Sequence, residues 1–463
     1  MALVSEGVIL PPQVDFNVRT KASPKYKFAQ INLNNIPSGK TTIGTSSISA
    51  LEFKLPVLVY NLYRSYISLQ MKIPKVASKF TYSHEDVVDF VHAVSYGPAT
   101  GQNLVDLQWA QNYTKIARKL GTSAEDFIAA SDPSCGLYRN NGAVATNFVP
   151  GGYDRLSGTT KYVGTDSYIE PKYSVVTPAA NTDLVCSRRI PLSAFVGTLF
   201  GVDREFYSPV EMYLRIQAGI GDKIGFASDL GIGAAAPATN PVSVGDIEIS
   251  NVTLFLAVEQ NEDLIAGMIQ KYESGNLRFT MPFTTAFRSI GGSKGNPTNI
   301  TIPLAMNYGR RLKSILHTVW NSQERLNTAY DCSNYDGEKI ENYRTYMDTK
   351  PLQDNVITCR RPSDGVFAQD DWLENKRFLL KSSIMSRGQY SLNWFHKDQF
   401  FEPQDKDALI HDYNLDEGLD MKVSRQWQFN SYTPVNGMDN LIRYTYAEFL
   451  REVQVGQLGP QML

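Results

Sequence analysis

The chain has 463 residues, with 45 Lys plus Arg against 47 Asp plus Glu, a formal net charge of -2 and 20% charged residues. This near-neutral balance excludes a polycationic nucleic-acid coat and an acidic tail protein as whole-chain descriptions. With 42% hydrophobic residues, 25 Tyr, 22 Phe and 5 Trp the chain can bury large cores, so disorder is excluded, and its length suggests about three domains of about 150 residues, or two if they are β-sandwiches of roughly 200 to 250.

Residues 1–12 have no basic segment ahead of their apolar residues and do not read as a signal peptide. No stretch approaches the ~18 apolar residues of a spanning helix. We therefore expect a soluble protein made in a reducing compartment, beginning with an extended arm over residues 1–24. Residues 37–42 (Pro-Ser-Gly-Lys-Thr-Thr) end like a phosphate-binding loop. Asn34 stands at the first glycine position, however, and a strand pattern follows where a helix is needed, so the segment reads as a turn.

Leu51, Phe53, Leu55 and Val57 alternate with Glu52, Lys54 and Pro56. Ile67, Leu69, Met71 and Ile73 alternate with Ser68, Gln70 and Lys72, and Pro74 closes the run. Such period-two patterns mark half-buried strands. Val105, Trp109, Tyr113, Ile116 and Leu120 lie on one helical face that stops at Gly121, and Ser123 with Asp126 can start a further turn. Residues 136–165 and 225–243 have loop chemistry, and loops that long are usually functional or held by a neighbour. Met212, Leu214 and Ile216 then alternate with Tyr213 and Arg215, and Gly219, Gly221 and Gly225 have the wrong spacing for a dinucleotide fingerprint. Val252, Leu254, Leu256 and Val258 form one face of a strand beginning near Asp246.

A helix is predicted over residues 259–275 as a connector. Asn261 can cap it, Glu262 and Asp263 complement the dipole, and Leu264, Ile265, Met268, Ile269 and Tyr272 repeat at helical spacing until Gly275. The strand pattern resumes with Leu277, Phe279, Met281 and Phe283 on one face. Gly291, Ser293 and Gly295 match G-x-S-x-G, but Asn296 and Pro297 follow where a helix must begin, so this reads as an exposed loop. The strand after Arg311 occupies the place of the strand after Arg64, each entering a long insertion. Leu373, Leu380 and Ile384 predict a helix between Asp371 and Gly388. Each half closes on a long aromatic strand, residues 248–258 and 440–450. Element order repeats with little residue identity, which predicts two copies of one sandwich, with two unrelated β-domains as the alternative.

No catalytic, cofactor-binding or metal-ligating constellation emerges. Cys135, Cys186, Cys332 and Cys359 are far apart and form no C-x-x-C. His84, His92, His317, His396 and His411 lack ligand spacing, and His317 falls within a strand, where a packed imidazole is expected. The pairs Asp370-Asp371 and Asp416-Glu417 read as solvated turns or helix starts rather than a glycosidase pair. Asn112, Asn251 and Asn299 head glycosylation sequons. Near the N-terminus only Arg19, Lys21, Lys25 and Lys27 are basic, too few for an arm that coats nucleic acid. We expect no enzyme, no cofactor and no sequence-specific nucleic-acid binding.

The residues resemble a family. Residues 187–200, where Ile190-Pro191-Leu192 ends a strand and leads into a short helix, the strand over 210–217, and the closing strand from Val252 through Asn261 look like the double jelly-roll major capsid proteins of icosahedral DNA viruses. This is the lineage of adenovirus hexon and the tailless membrane-containing bacteriophages. Residues 390–395 and 441–452 resemble the penultimate and final strands of the second roll. The resemblance spans about residues 25 to 456 and implies an all-β fold of two consecutive antiparallel eight-stranded jelly-roll sandwiches with helix-containing insertions. The implied division is an arm over 1–24, a first roll with a tower insertion over 25–258, a connector over 259–275, a second roll over 276–456 and a tail over 457–463. It further implies homotrimers forming pseudo-hexagonal capsomers of an icosahedral virion shell, made inside the host cell, with neighbouring capsomers and penton or minor capsid proteins as partners. The chain lacks the membrane-directed N-terminal helix of some relatives, leaving an internal membrane open. A viral vertex or receptor-binding sandwich and a β-sandwich carbohydrate hydrolase are the alternatives.

Overall fold

The computed structural model describes residues 24–44, 49–77, 80–83, 91–114, 175–176, 183–219, 225–228, 242–243, 246–320, 340–352, 355–358, 409–412, 418–433 and 439–462. Eight strands of the first half are β1 (Tyr26–Asn32), β2 (Ser49–Leu55), β3 (Val59–Ile73), β4 (Val91–Pro98), β5 (Val105–Gln108), β6 (Leu184–Pro191), β7 (Met212–Ala218) and β8 (Ile247–Glu259). They pair antiparallel in two sheets, β1-β8-β3-β6 and β2-β7-β4-β5. The helix α1 (Glu262–Glu273) follows. The second half contributes β9 (Arg278–Gly291), β10 (Pro297–Leu304), β11 (Arg311–Trp320), β12 (Asn342–Met347), β13 (Lys350–Pro351), β14 (Leu409–Asp412), β15 (Arg425–Tyr432) and β16 (Leu441–Gly456). Their order is β9-β16-β11-β14 and β10-β15-β12-β13, the first half's order displaced by eight. Apart from the β4–β5 and β12–β13 neighbours, each sheet joins strands that are not consecutive while the chain alternates between sheets, which is the Greek-key wiring of a jelly roll. The fold is therefore a double jelly roll.

Alternation makes each strand amphipathic, and the structure turns the apolar face inward. Leu51, Phe53 and Leu55 of β2 meet Ile67, Leu69 and Met71 of β3 and Leu254 and Leu256 of β8 in the first core. Ile302 and Leu304 of β10 and Trp427 and Phe429 of β15 meet Phe449 of β16 in the second. Val57 departs from its predicted strand: Pro56 has no N–H to donate, β2 stops at Leu55, and Val57 is exposed in the turn. The register of β8 with β3 jumps between Phe255↔Tyr66 and Ala257↔Asn61, a bulge over residues 62–65. There the Ala257 N–H donates to Ser65 Oγ at 3.0 Å, and that hydroxyl donates to Asn61 O at 2.6 Å, so the bulge leaves neither buried group unpaired.

The connector has the predicted caps. Asn261 Oδ1 accepts from the Asp263 N–H at 3.1 Å, and Gly275 ends the helix at φ +71, a conformation glycine adopts without strain. Buried Glu259 anchors its start, with Oε1 accepting the backbone N–H groups of Lys25, Gln260 and Asn261 at 2.8–2.9 Å.

Two predicted elements differ. Residues 105–108 are strand β5 rather than helix, because Val105 and Leu107 face inward with Asp106 outward and the segment is in register with β4; helix begins only after Trp109, whose φ of +49 breaks the strand. The penultimate strand of the second roll is Arg425–Tyr432, because its Trp427 and Phe429 supply the alternating inward face that pairs with β10 and β12. Residues 390–395, the helix predicted over 371–388, the arm up to residue 23 and most of both insertions lie outside the described residues. The described fragments of the first insertions form one small sheet. In it Val242–Ser243, Gly225–Ser228, Phe80–Ser83 and Val175–Val176 pair in that order, joining the β3–β4, β5–β6 and β7–β8 connections. At the far end Gly459–Met462 folds back as a strand on β16.

Candidate functional site: the outer faces of the two sandwiches

Each roll has one sheet built around its last strand, β1-β8-β3-β6 or β9-β16-β11-β14, and the outer faces of these two sheets have different fates. In the second roll this face is covered by the first roll. Tyr446 on β16, in register with Ala286 of β9 and Leu316 of β11, packs on Tyr113 at 5.0 Å between ring centroids and donates its hydroxyl to Trp109 O at 3.1 Å. Tyr444 lies 5.5 Å from the Trp109 ring. Thr284 Oγ1 donates to Gly197 O at 2.7 Å, and at the start of β9 Phe279, on the strand's other face, also reaches the first roll, 5.2 Å from Phe206. Gly197 sits at φ +70, and a Cβ there would press on the Tyr113 hydroxyl and stand 2.8 Å from Thr284 Oγ1, so the close approach of the rolls requires glycine. Arg451 bridges the lower edge: Nε donates to Tyr308 O, Nη1 crosses to Asn103 O at 3.0 Å, and the guanidinium lies 3.2 Å from the Phe283 ring centroid.

Electrostatics sharpen this contact. Glu448 lies on the same face of β16, and burial holds its carboxyl above the usual 4.5, with Lys313 and the Ser314 hydroxyl pulling the other way. The Tyr113 hydroxyl is likewise raised, first by burial and then by the charge of Glu448.

The matching face of the first roll carries the same kind of surface, and among the described residues no such cover lies on it. Phe28 of β1, Phe255 of β8 and Tyr66 of β3 run across three strands, with Phe28–Tyr66 centroids at 5.6 Å and Tyr66–Phe255 stacked at 4.9 Å. Arg189 of β6 lies over Tyr66 at 5.3 Å, within cation–π range. Phe28 is 47% exposed and Val185, also on β6, is 52% exposed. The place of this strip did not show in the sequence, because Phe28, Tyr66 and Phe255 are 38 and 189 residues apart and become neighbours only through strand pairing.

Viral capsid proteins are among the solved structures that this chain is similar to. Over 96% of this chain and 97% of the other, VP54 of PBCV-1, fitted into a reconstruction of the virophage Sputnik, aligns at 8% identity with a TM-score of 0.49. The Faustovirus major capsid protein aligns over 98% and 93% at 9% identity (TM-score 0.49), and the mavirus major capsid protein over 100% and 96% at 12% (TM-score 0.44). No protein-family model and no curated protein matches the chain.

The motifs singled out in the sequence fall in structural places. Residues 37–42 form a turn closed by the Gly39 N–H on Ile36 O, then a strand at Thr41–Ile43. The Gly291–Gly295 segment begins at the end of β9 and leads to β10, crossing from one sheet of the second roll to the other, with strand on both sides. Gly225 opens a strand of the small sheet, and Gly219 follows β7. His317 is buried, its Nδ1 2.8 Å from Thr445 Oγ1 and its ring 4.2 Å from that of Phe429, and His92 lies in β4. His411 lies in β14 and Cys186 in β6. His84, His396, the two acidic pairs, Cys135, Cys332 and Cys359 lie outside the described residues. Of the sequons, Asn112 is buried beneath the roll–roll contact, whereas Asn251 and Asn299 are exposed on β8 and β10. Among the described residues no three His, Cys, Asp or Glu side chains gather as a metal site, and no helix is long and apolar enough to cross a membrane.

Proposed function

We propose that this chain is the major capsid subunit of an icosahedral DNA virus, structural rather than catalytic, located in the virion shell. The observation that carries this is the packing of Trp109, Tyr113 and Gly197 of one roll on the sheet face of a second like roll in the same chain; we assign the rolls to residues 25–258 and 276–456, joined by the connector. The first roll docks residues following β5 and β6 onto the outer sheet face of the second, while its own equivalent face, with Phe28, Tyr66, Phe255 and Arg189, is left as an unused acceptor. A contact between different surfaces of like units propagates, and it closes into a ring when the rotation per unit divides a full turn. Three chains of two rolls close a six-roll ring, a capsomer with pseudo-hexagonal outline that tiles a shell with its neighbours and meets penton or minor capsid proteins at the vertices. Low charge and abundant Tyr suit contact with copies of itself.

Light scattering on the full chain tests this. We expect a trimer of about 155 kDa, three times 51.8 kDa, and a double substitution Phe28→Glu, Phe255→Glu on the open face should yield folded monomers. A wild-type chain that stays monomeric at high concentration and forms no hexagonal particles in electron micrographs would remove the basis of the proposal.

A further inference from the structure

The contact inside the chain has a donor side as well as an acceptor side. On the first roll the donor is β5, the end strand of the sheet β2-β7-β4-β5, which lies against β9 of the second roll and leads into Trp109 and Tyr113. Those two rings rest on Tyr444 and Tyr446. On the acceptor side Thr284 of β9 is buried, and Ala286 packs on the core cluster of the first roll.

Sheet order assigns the counterparts of both sides. β13 ends the sheet β10-β15-β12-β13 as β5 ends its own, and Ile357–Thr358 pairs with the same edge of β12 farther along. β1 flanks β8 as β9 flanks β16. Among the described residues neither counterpart is covered in the same way. Lys350, Pro351, Leu352, Asn355 and Val356 are all exposed along the edge, Val356 at 49%. Phe28, Gln30 and Asn32 are exposed along the outer face of β1.

The edge itself says how it can be used. Pro351 has no N–H to donate and Lys350 opposes the addition of a further strand, so this edge is ill suited to extending another sheet. Leu352 and Val356 suit a contact made by side chains on a sheet face, which is how β5 meets β9. We propose that the edge carrying Leu352 and Val356 docks on the open face of a second copy of this chain, against Phe28, Tyr66 and Phe255. The inference rests on the reading of the chain as a capsomer subunit and names the surface that fills its acceptor. A second copy is the occupant because every chain carries both surfaces, and the covered pair within the chain shows that surfaces of these two kinds fit. An edge on a face is a heterologous contact, so each chain offers one of each and a closed ring leaves none unused.

The test mixes two variants of the full chain. Phe28→Glu with Phe255→Glu disables the face, and Leu352→Glu with Val356→Glu disables the edge. Each variant alone should be a folded monomer in light scattering, and each keeps the surface that the other has lost. At the highest concentration where both are monomeric alone, the mixture should give a heterodimer of about 104 kDa, twice 51.8 kDa, and no trimer. An edge variant that trimerises like wild type would overturn the pairing and leave the capsomer reading standing, whereas a monomeric wild type would remove that reading and the pairing with it. Variants that stay apart on mixing would also overturn it, the result expected if two open faces met each other. Val356→Glu alone carries the test if the double edge variant does not fold.

Discussion

The two outer sheet faces share one wiring and one aromatic character, yet Tyr444 and Tyr446 are almost fully buried while Phe28 is 47% exposed. What separates them is what lies on them: the first roll lays Trp109, Tyr113 and the Gly197 turn on the face of the second, and among the described residues no such group lies on the face of the first. The difference teaches that one contact rule is written twice in this chain and satisfied once within it. On that view the covered face contributes to folding and the open face to association.

Substitutions that treat the faces alike should separate these roles. The largest effect is expected from Tyr446→Ala, which removes a buried ring and its hydrogen bond to Trp109 O, at about 3–5 kcal/mol of unfolding free energy in urea. Next is Gly197→Ala, where strain at φ +70 and pressure on Tyr113 and Thr284 should cost ~1–3 kcal/mol by the same measurement. A loss as small as that of an exposed site would mean that the rolls do not pack this closely.

Glu448 gives a smaller, pH-dependent effect at the covered face. Its folded pKa is raised, so the stability linked to its protonation is fully present below the ordinary 4.5 and is lost as pH rises through the folded value. Wild type should therefore lose stability relative to Glu448→Gln as pH rises from 4.5 toward neutrality, measured by urea unfolding across that range. A constant difference would show that the carboxylate is well solvated at the contact. The smallest change in stability is expected from Tyr66→Ala on the open face, within about 1 kcal/mol for the monomer, although it should weaken the trimer in light scattering. If Tyr66→Ala destabilised the monomer as much as Tyr446→Ala, the contrast between the faces would fail.

Much of this was legible in single strands. Ile67 through Ile73 and Met212 through Ile216 carried their buried faces openly, and the Asn261 to Gly275 helix was fixed by its caps and spacing. Residues 105–108 misled because Val105, Trp109 and Tyr113 are spaced for a helix, while pairing with β4 decided otherwise. The open aromatic strip and the exposed edge with Leu352 and Val356 left no local signal. A Leu or Val beside a short strand looks the same in sequence whether it enters a core, meets solvent or meets a second copy.

Length, near-neutral charge and period-two alternation by themselves determined a chain that folds as large β-sandwiches, and the order of elements suggested that the sandwich is repeated. Only the tertiary structure decided which strands pair, which outer face is covered and which is open, because those contacts join residues as far apart as Tyr26 and Glu259 or Gly197 and Thr284. A strand's own pattern states that it has an inside. What lies on its outside is set by whichever distant part of the chain, or of another chain, arrives there.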